Sequence, residues 1–273
     1  MAARTNIRSR PPVKSAAALN RDWSRWQRTF ASFMARLDRE KTAYLSHSKL
    51  SLFERCPRCY YRQYILDEKP DSPAMLLGTL FHKAAHVFYR SHSPSSPTKL
   101  FARLNARPLD IEHRGKLRNA LVLLCQNCWS DCDIVSVEEP FFIDLDSGLP
   151  PIIGVPDLVL SNGKLLKVID HKTSTKFNKP DAGQLVLYAE HLRRCHKNRQ
   201  VAGFFDEYRL VSDLSTIRKP AFRRTQVPVD RKLLLALIKR YRAAWKGITA
   251  LDPDDEPFPA DDCWLCRSPA PWY

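Results

Sequence analysis

Apolar residues along the chain repeat with two periods, and each period predicts a different kind of element. Trp23, Trp26, Phe30, Phe33, Met34 and Leu37 recur at helical spacing between residues 21 and 40, which marks an amphipathic helix. Ser46 or Ser48 is placed to cap a short helix that turns Leu50 and Phe53 inward, and Pro57 ends or restarts it. Leu77, Phe81, Ala84, Ala85 and Phe88 form the buried stripe of a helix reaching Arg90. After a Ser- and Pro-rich loop, residues 98 to 133 again read as helical. Later helices follow Asp181 and Asp230, each a candidate cap. Strand character belongs to Glu138–Asp144, Val201–Val211 and Gln226–Val229. The last reads as an edge, because Pro228 cannot donate a ladder hydrogen bond. The expected fold is α/β: a short mixed β-sheet flanked by helices, with a helical insertion at 98 to 133.

The stretch from Pro151 to Tyr188 organises the rest. Two runs rich in β-branched residues, Ile152–Leu160 and Leu165–Lys172, flank Ser161-Asn162-Gly163-Lys164. Asn-Gly between such runs is a strong hairpin signal, since both residues accept the positive φ of a type I′ turn. A turn centred on Asn162 and Gly163 sets Asp157 opposite Val168 and Val155 opposite Asp170. Side chains alternate with period two, so Asp157, Asp170 and Lys172 point the same way. The two carboxylates are then one diagonal step apart, about 5–8 Å.

That spacing has chemical consequences. Two ionised carboxylates in an apolar hairpin repel and lose hydration, unless a cation bridges them. Mg²⁺ or Mn²⁺ suits oxygen ligands of this kind. Lys172 can hold the attacking water or steady charge on a phosphoryl group. The simpler reading is a half-wet hairpin in which Asp170 merely pairs with Lys172.

Charge changes the picture further. Forty-four basic against 29 acidic residues leave a net charge of +15, which favours an anionic partner, nucleic acid first. Residues 1 to 20 carry no acid and read as a basic arm, so 1–44 reads as an extension and 45–273 as the main domain. Arg58, Tyr60, Tyr61, Arg62 and Tyr64 interleave cations with rings, either to grip a strand or to fill a core. No apolar run is long enough to cross a bilayer and no signal-type stretch follows Met1, so the expectation is no membrane and a cytoplasmic setting. No phosphate-cradling Gly-rich Lys-Ser/Thr loop is present, so ATP hydrolysis would have to come from elsewhere; a helicase or an annealing recombinase could work beside this chain.

Eight cysteines in such a chain suggest metal or buried thiols over disulfides. Cys56-x-x-Cys59 and Cys263-x-x-Cys266 have ligand spacing, and together they supply four thiolates for tetrahedral Zn²⁺ or for an iron–sulfur centre. Cys125, Cys128 and Cys132 fall on one face of a predicted helix and read as buried small hydrophobes.

Pro156-Asp157 followed by Asp170-His171-Lys172 resembles the PD-(D/E)XK nuclease motif. The order of Leu45-Ser46-His47-Ser48, Gly78-Thr-Leu-Phe-His82, Gly154-Val-Pro-Asp157, Ile169–Thr173 and Gln184-x-x-x-Tyr188 is similar to the RecB-like exonuclease branch, which includes CRISPR-associated and phage-encoded members. The resemblance implies a restriction-endonuclease-like core and a metal-dependent DNA nuclease acting on single strands or ends. It implies a role in recombination or repair, in a bacterial or phage-infected cytoplasm. It makes His82, Asp157, Asp170 and the backbone carbonyl of His171 the metal ligands, Lys172 a catalytic residue, and Gln184 and Tyr188 DNA guides. It also implies a 4Fe–4S cluster on the cysteines, although Cys59 is extra and no third C-terminal cysteine follows Cys266. The alternative is a module on the same fold that binds DNA ends or a recombination partner without cutting.

Overall fold

The computed structural model describes residues 28, 30–40, 42–68, 72–91, 96–104, 106, 108–215, 218, 220–263 and 266. The basic arm, Trp23 and Trp26 lie outside the described residues. The first helix described is α1, residues 30–39. Leu45–Ser46 (β1) leads into α2 (His47–Arg55), whose first turn is capped by Ser46 accepting from the Lys49 N–H. Pro57 at the first turn of α3 (Pro57–Tyr64) restarts the helix, where a missing N–H costs nothing.

Pro73–Arg90 (α4) is capped by Ser72, which accepts from the Met75 N–H. The 98–133 stretch is helical only in part. It divides into α5 (Pro97–Ala102), α6 (Ile111–Gln126) and the strand β2 (Asp133–Val137). Asn127 and the following turn end α6, so Cys128 and Cys132 leave the helix face that Cys125 occupies.

The expected strand 138–144 also breaks. Glu138 adopts φ +51°, and the chain passes from β2 in one sheet to β3 (Phe141–Ile143) in another. Two sheets therefore replace the single one expected. The small sheet orders β1, β4 (Ile152–Gly154) and β3. The large sheet orders β2, β5 (Leu158–Asn162), β6 (Leu165–Ser174), β7 (Gln200–Arg209) and β8 (Phe222–Val227). β6 and β7 run parallel and the other pairs of this sheet antiparallel. α7 (Gly183–Cys195) makes the crossover between them, and α8 (Arg231–Thr249) packs beside it. β8 is an edge strand, as Pro228 suggests.

The central hairpin forms with a shifted register. Leu158 pairs with Ile169 and Asn162 with Leu165, so the turn holds Gly163 and Lys164 rather than Asn162 and Gly163. Gly163 supplies the positive φ of +63°. The shift is two residues, an even number, so no side chain changes face. Leu158, Leu160 and Ile169 join one core with α4, α5 and α6, while Val159, Leu166 and Val168 join the other with α2, α7 and α8. Asp170 and Lys172 continue the second face; His171 faces the first.

Two adjacent buried acids on β7 rely on β8. Asp206 pairs with Arg224 and Glu207 with Arg223, each across the ladder and each through two N–H donors. The acids alternate faces, so each side of the sheet gains one ion pair.

Candidate active site

The site is built where β5 begins and β6 ends. The ladder ends at Leu158–Ile169, and Asp157 and Asp170 flank this last pair, one on each strand. Asp157 Oδ2 accepts the backbone N–H of His171 at 2.7 Å, and Oδ1 is 3.2 Å from His82 Nδ1 on α4. Burial opposes ionisation of Asp157, but His82 and the His171 N–H outweigh it and hold the carboxyl down at about 2. Burial likewise opposes a charge on His82, yet Asp157 pushes its imidazole up to about 9.

Asp170 behaves oppositely. Only 2% exposed, it is raised above the ordinary carboxylate range by burial, against the pull of Lys172 and with the push of Asp157. Lys172 Nζ lies 2.7 Å from Asp170 Oδ2, an ion pair at the buried carboxylate. A buried carboxylate beside a second one is suited to a further cation.

Lys172 is held from its other side. It donates to Gln184 Oε1 at 2.9 Å; Gln184 Nε2 donates to the Tyr188 hydroxyl at 2.7 Å; that hydroxyl donates to the Val155 carbonyl at 2.9 Å. Asp181 does not cap α7 as expected. Ala182 holds the cap position, and Asp181 Oδ1 takes the Gly183 N–H instead. Arg240 of α8 ties Asp181 to Glu54 of α2.

One acid escaped the sequence reading. Ligand atoms of His82, Glu138 and Asp157 lie within 4.8 Å of one another. Among the described residues, no triad this tight includes Asp170. Glu138 is buried, and its Oε2 lies 2.7 Å from His86 Nδ1. Its N–H is shared between the Pro156 and Asp157 carbonyls, at 3.1 and 3.2 Å. Positive φ at a glutamate costs about 1–3 kcal/mol and marks functional positions. The available signal was the break in alternation at Glu138-Glu139-Pro140. His86 is 1% exposed and holds this glutamate through its Nδ1.

Two cavities of about 380 and 370 Å³ meet at His47, Ser48 and Gln184 to form one groove. Lys172, Ser174 and Asn178 border one end. Tyr44, Lys49 and Tyr64 border the other, with Lys49 Nζ 3.4 Å from the Tyr44 ring centre. Burial lowers the Lys49 amine to about 8. Arg58 and Arg62 face elsewhere: both bind Glu256 of the C-terminal acidic loop. Tyr60 and Tyr61 are core residues, so of the basic-aromatic run only Tyr64 reaches the groove. Tyr188 borders it too but is 4% exposed, its hydroxyl already engaged.

Away from this site, Cys56, Cys59, Cys263 and Cys266 come together into a second metal-binding candidate. Cys125 and Cys128 pack against the α4–α6 core, and Cys132 lies 3.2 Å from Lys167 Nζ.

The fold thus brings two acids and a lysine from one hairpin beside a histidine from α4. The chain belongs to the PD-(D/E)XK nuclease superfamily, whose model matches residues 44–269. No curated protein matches the sequence. A solved structure from Eubacterium rectale, titled only provisionally as an exonuclease, has a TM-score of 0.54 and 12% identity over 82% of this chain and 87% of that one. At that identity the likeness speaks for the fold. Among the described residues no helix is long and apolar enough to cross a membrane.

Proposed function

We propose that this nuclease hydrolyses DNA phosphodiesters with Mg²⁺ or Mn²⁺, as an exonuclease that draws a strand end through the groove. The observation that carries this reading is the His82–Asp157–Glu138 triad beside the buried Asp170–Lys172 ion pair. Three carboxylates and one imidazole fit a hard divalent ion, and the imidazole admits Mn²⁺ as well as Mg²⁺. His82, Asp157, Asp170 and the His171 carbonyl would hold it, with Glu138 as a further donor. Bound there, the ion would polarise the phosphate and acidify a water.

The chain's own groups do the rest. Lys172, fixed by Asp170 and Gln184, presents its ammonium where a phosphate oxygen gathers charge. Tyr188 anchors Gln184, and Gln184 borders the path of the strand; their proposed role is to hold Lys172 as much as to guide DNA. Lys49 beside Tyr44 and Tyr64 offers a cation among rings for a backbone and its bases. Duplex opening would fall to a separate helicase or annealing recombinase.

Incubation with end-labelled linear single- and double-stranded DNA, in Mg²⁺ or Mn²⁺, tests the reading. Stepwise loss of label, abolished by EDTA and in Lys172→Ala, is expected. Tight end binding without degradation in either metal would replace it with the non-cleaving alternative. Nicking of closed circles would replace the exonuclease assignment.

A further inference from the structure

The four cysteines of the second site come from remote parts of the chain. Cys56 stands between α2 and α3, Cys59 lies in α3, and Cys263 and Cys266 follow the acidic loop. Cys56 and Cys59 are fully buried and Cys263 is 3% exposed. All four are free thiols. Sγ–Sγ distances are 3.7 Å for Cys56–Cys266, 3.4 Å for Cys59–Cys263 and 3.4 Å for Cys59–Cys266. The Ala260 N–H points at Cys56 Sγ, 3.5 Å away, a donor well placed for a thiolate.

These separations discriminate between metals. In a cubane cluster each thiolate takes a different iron, so the whole width of the cluster keeps the sulfurs out of contact. Around one ion, all four share a centre. With Zn–S near 2.3 Å, the edge of the tetrahedron is about 3.8 Å, close to the observed contacts. Cys56 caps α3 and Cys59 lies in its first turn, the geometry of a chelating bite. The spacing therefore does not fit the 4Fe–4S cluster that the resemblance implies.

We infer that Cys56, Cys59, Cys263 and Cys266 hold a single tetrahedral Zn²⁺ ion that clamps the C-terminal segment onto the α2–α3 junction. This site is independent of the catalytic reading. Its consequence for the groove is mechanical. α2 carries His47, Ser48 and Ser51 along the groove wall, and its last turn abuts Cys56. The clamp is reinforced by Arg58 and Arg62 on Glu256 and by the Tyr61 hydroxyl on the Pro253 carbonyl.

The test is elemental analysis of full-length chain, purified anaerobically without a metal column from cells supplied with both iron and zinc. One zinc per chain, no acid-labile sulfide and a featureless visible spectrum are expected. Cobalt substitution should give the d–d bands of a tetrahedral thiolate site. Cys263→Ser/Cys266→Ser should lose the zinc, whereas Cys125→Ser and Asp170→Asn should keep it. Asp170→Asn separates this ion from any at the nuclease site. Iron with labile sulfide would overturn the inference in favour of a cluster. A folded chain with less than half an equivalent of zinc would overturn it in favour of bare thiols.

Discussion

Asp170→Asn tests the site on two axes that should move in opposite directions. In wild type, burial and Asp157 raise the Asp170 carboxyl above its ordinary pKa. The unfolded chain therefore releases this proton at lower pH than the folded one. Stability conferred by this residue falls as pH rises through that interval, and the penalty persists above it. Asparagine carries no such penalty, so without metal the variant should melt higher than wild type at pH 7. The gap should close at low pH, where wild-type Asp170 is protonated. Metal reverses the order. An ion at 100 times its Kd stabilises the folded state by about 2.7 kcal/mol, worth roughly 5–10 °C for a domain of this size. Asp170→Asn should lose most of that increment together with Mg²⁺-dependent DNA degradation. Differential scanning calorimetry with and without Mg²⁺, at pH 4 and 7, reads both effects. A variant that melts below wild type without metal, yet keeps the full Mg²⁺ shift, would refute the placement of Asp170 at the ion.

Other outcomes follow from the same geometry. Glu138→Gln should weaken Mn²⁺ binding about 10–100-fold with little loss of fold, as read by calorimetric titration; unchanged affinity would remove Glu138 from the site. Because Asp157 holds His82 protonated up to about 9, metal must displace that proton. Apparent affinity should rise about tenfold per pH unit from 7 to 9, and titrations in buffers of different ionisation enthalpy should register proton release; a flat profile would count against His82 as ligand. Arg224→Ala leaves Asp206, fully buried, with the Trp129 N–H as its side-chain donor among the described residues, and should cost about 3–5 kcal/mol by urea denaturation; a loss under 1 kcal/mol would contradict the buried pair. At Gly154 a β-carbon would lie 2.3 Å from Phe141 Cζ and 2.9 Å from Tyr188 Cε1. Gly154→Ala should therefore displace the ring that anchors Gln184, costing about 1–3 kcal/mol and lowering turnover; unchanged turnover and melting would contradict this packing.

The hairpin and its facing acids were legible because strand alternation survives an even register slip: moving the turn from Asn162-Gly163 to Gly163-Lys164 left Asp157, Asp170 and Lys172 together. Helices with clear caps, such as those after Ser46 and Asp230, were legible for local reasons. What sequence could not reach were contacts decided by tertiary meeting. Glu138 read as an ordinary strand residue, because only the passage between two sheets gives it a positive φ and turns it to His82. The acids at 206 and 207 were invisible without the ladder that matches them to Arg224 and Arg223. Residues 98–133 read as helical throughout; Pro108 stands in the break between α5 and α6, but the turn after Gln126 has no glycine or proline to announce it.

The parallel pairing of β6 with β7 has a temporal implication. During synthesis the strand bearing Asp170 and Lys172 emerges with only one neighbour, and its second arrives after the whole crossover through α7 has been made. A nascent chain thus carries these two side chains on an open strand edge until residues 200–209 have been added and paired.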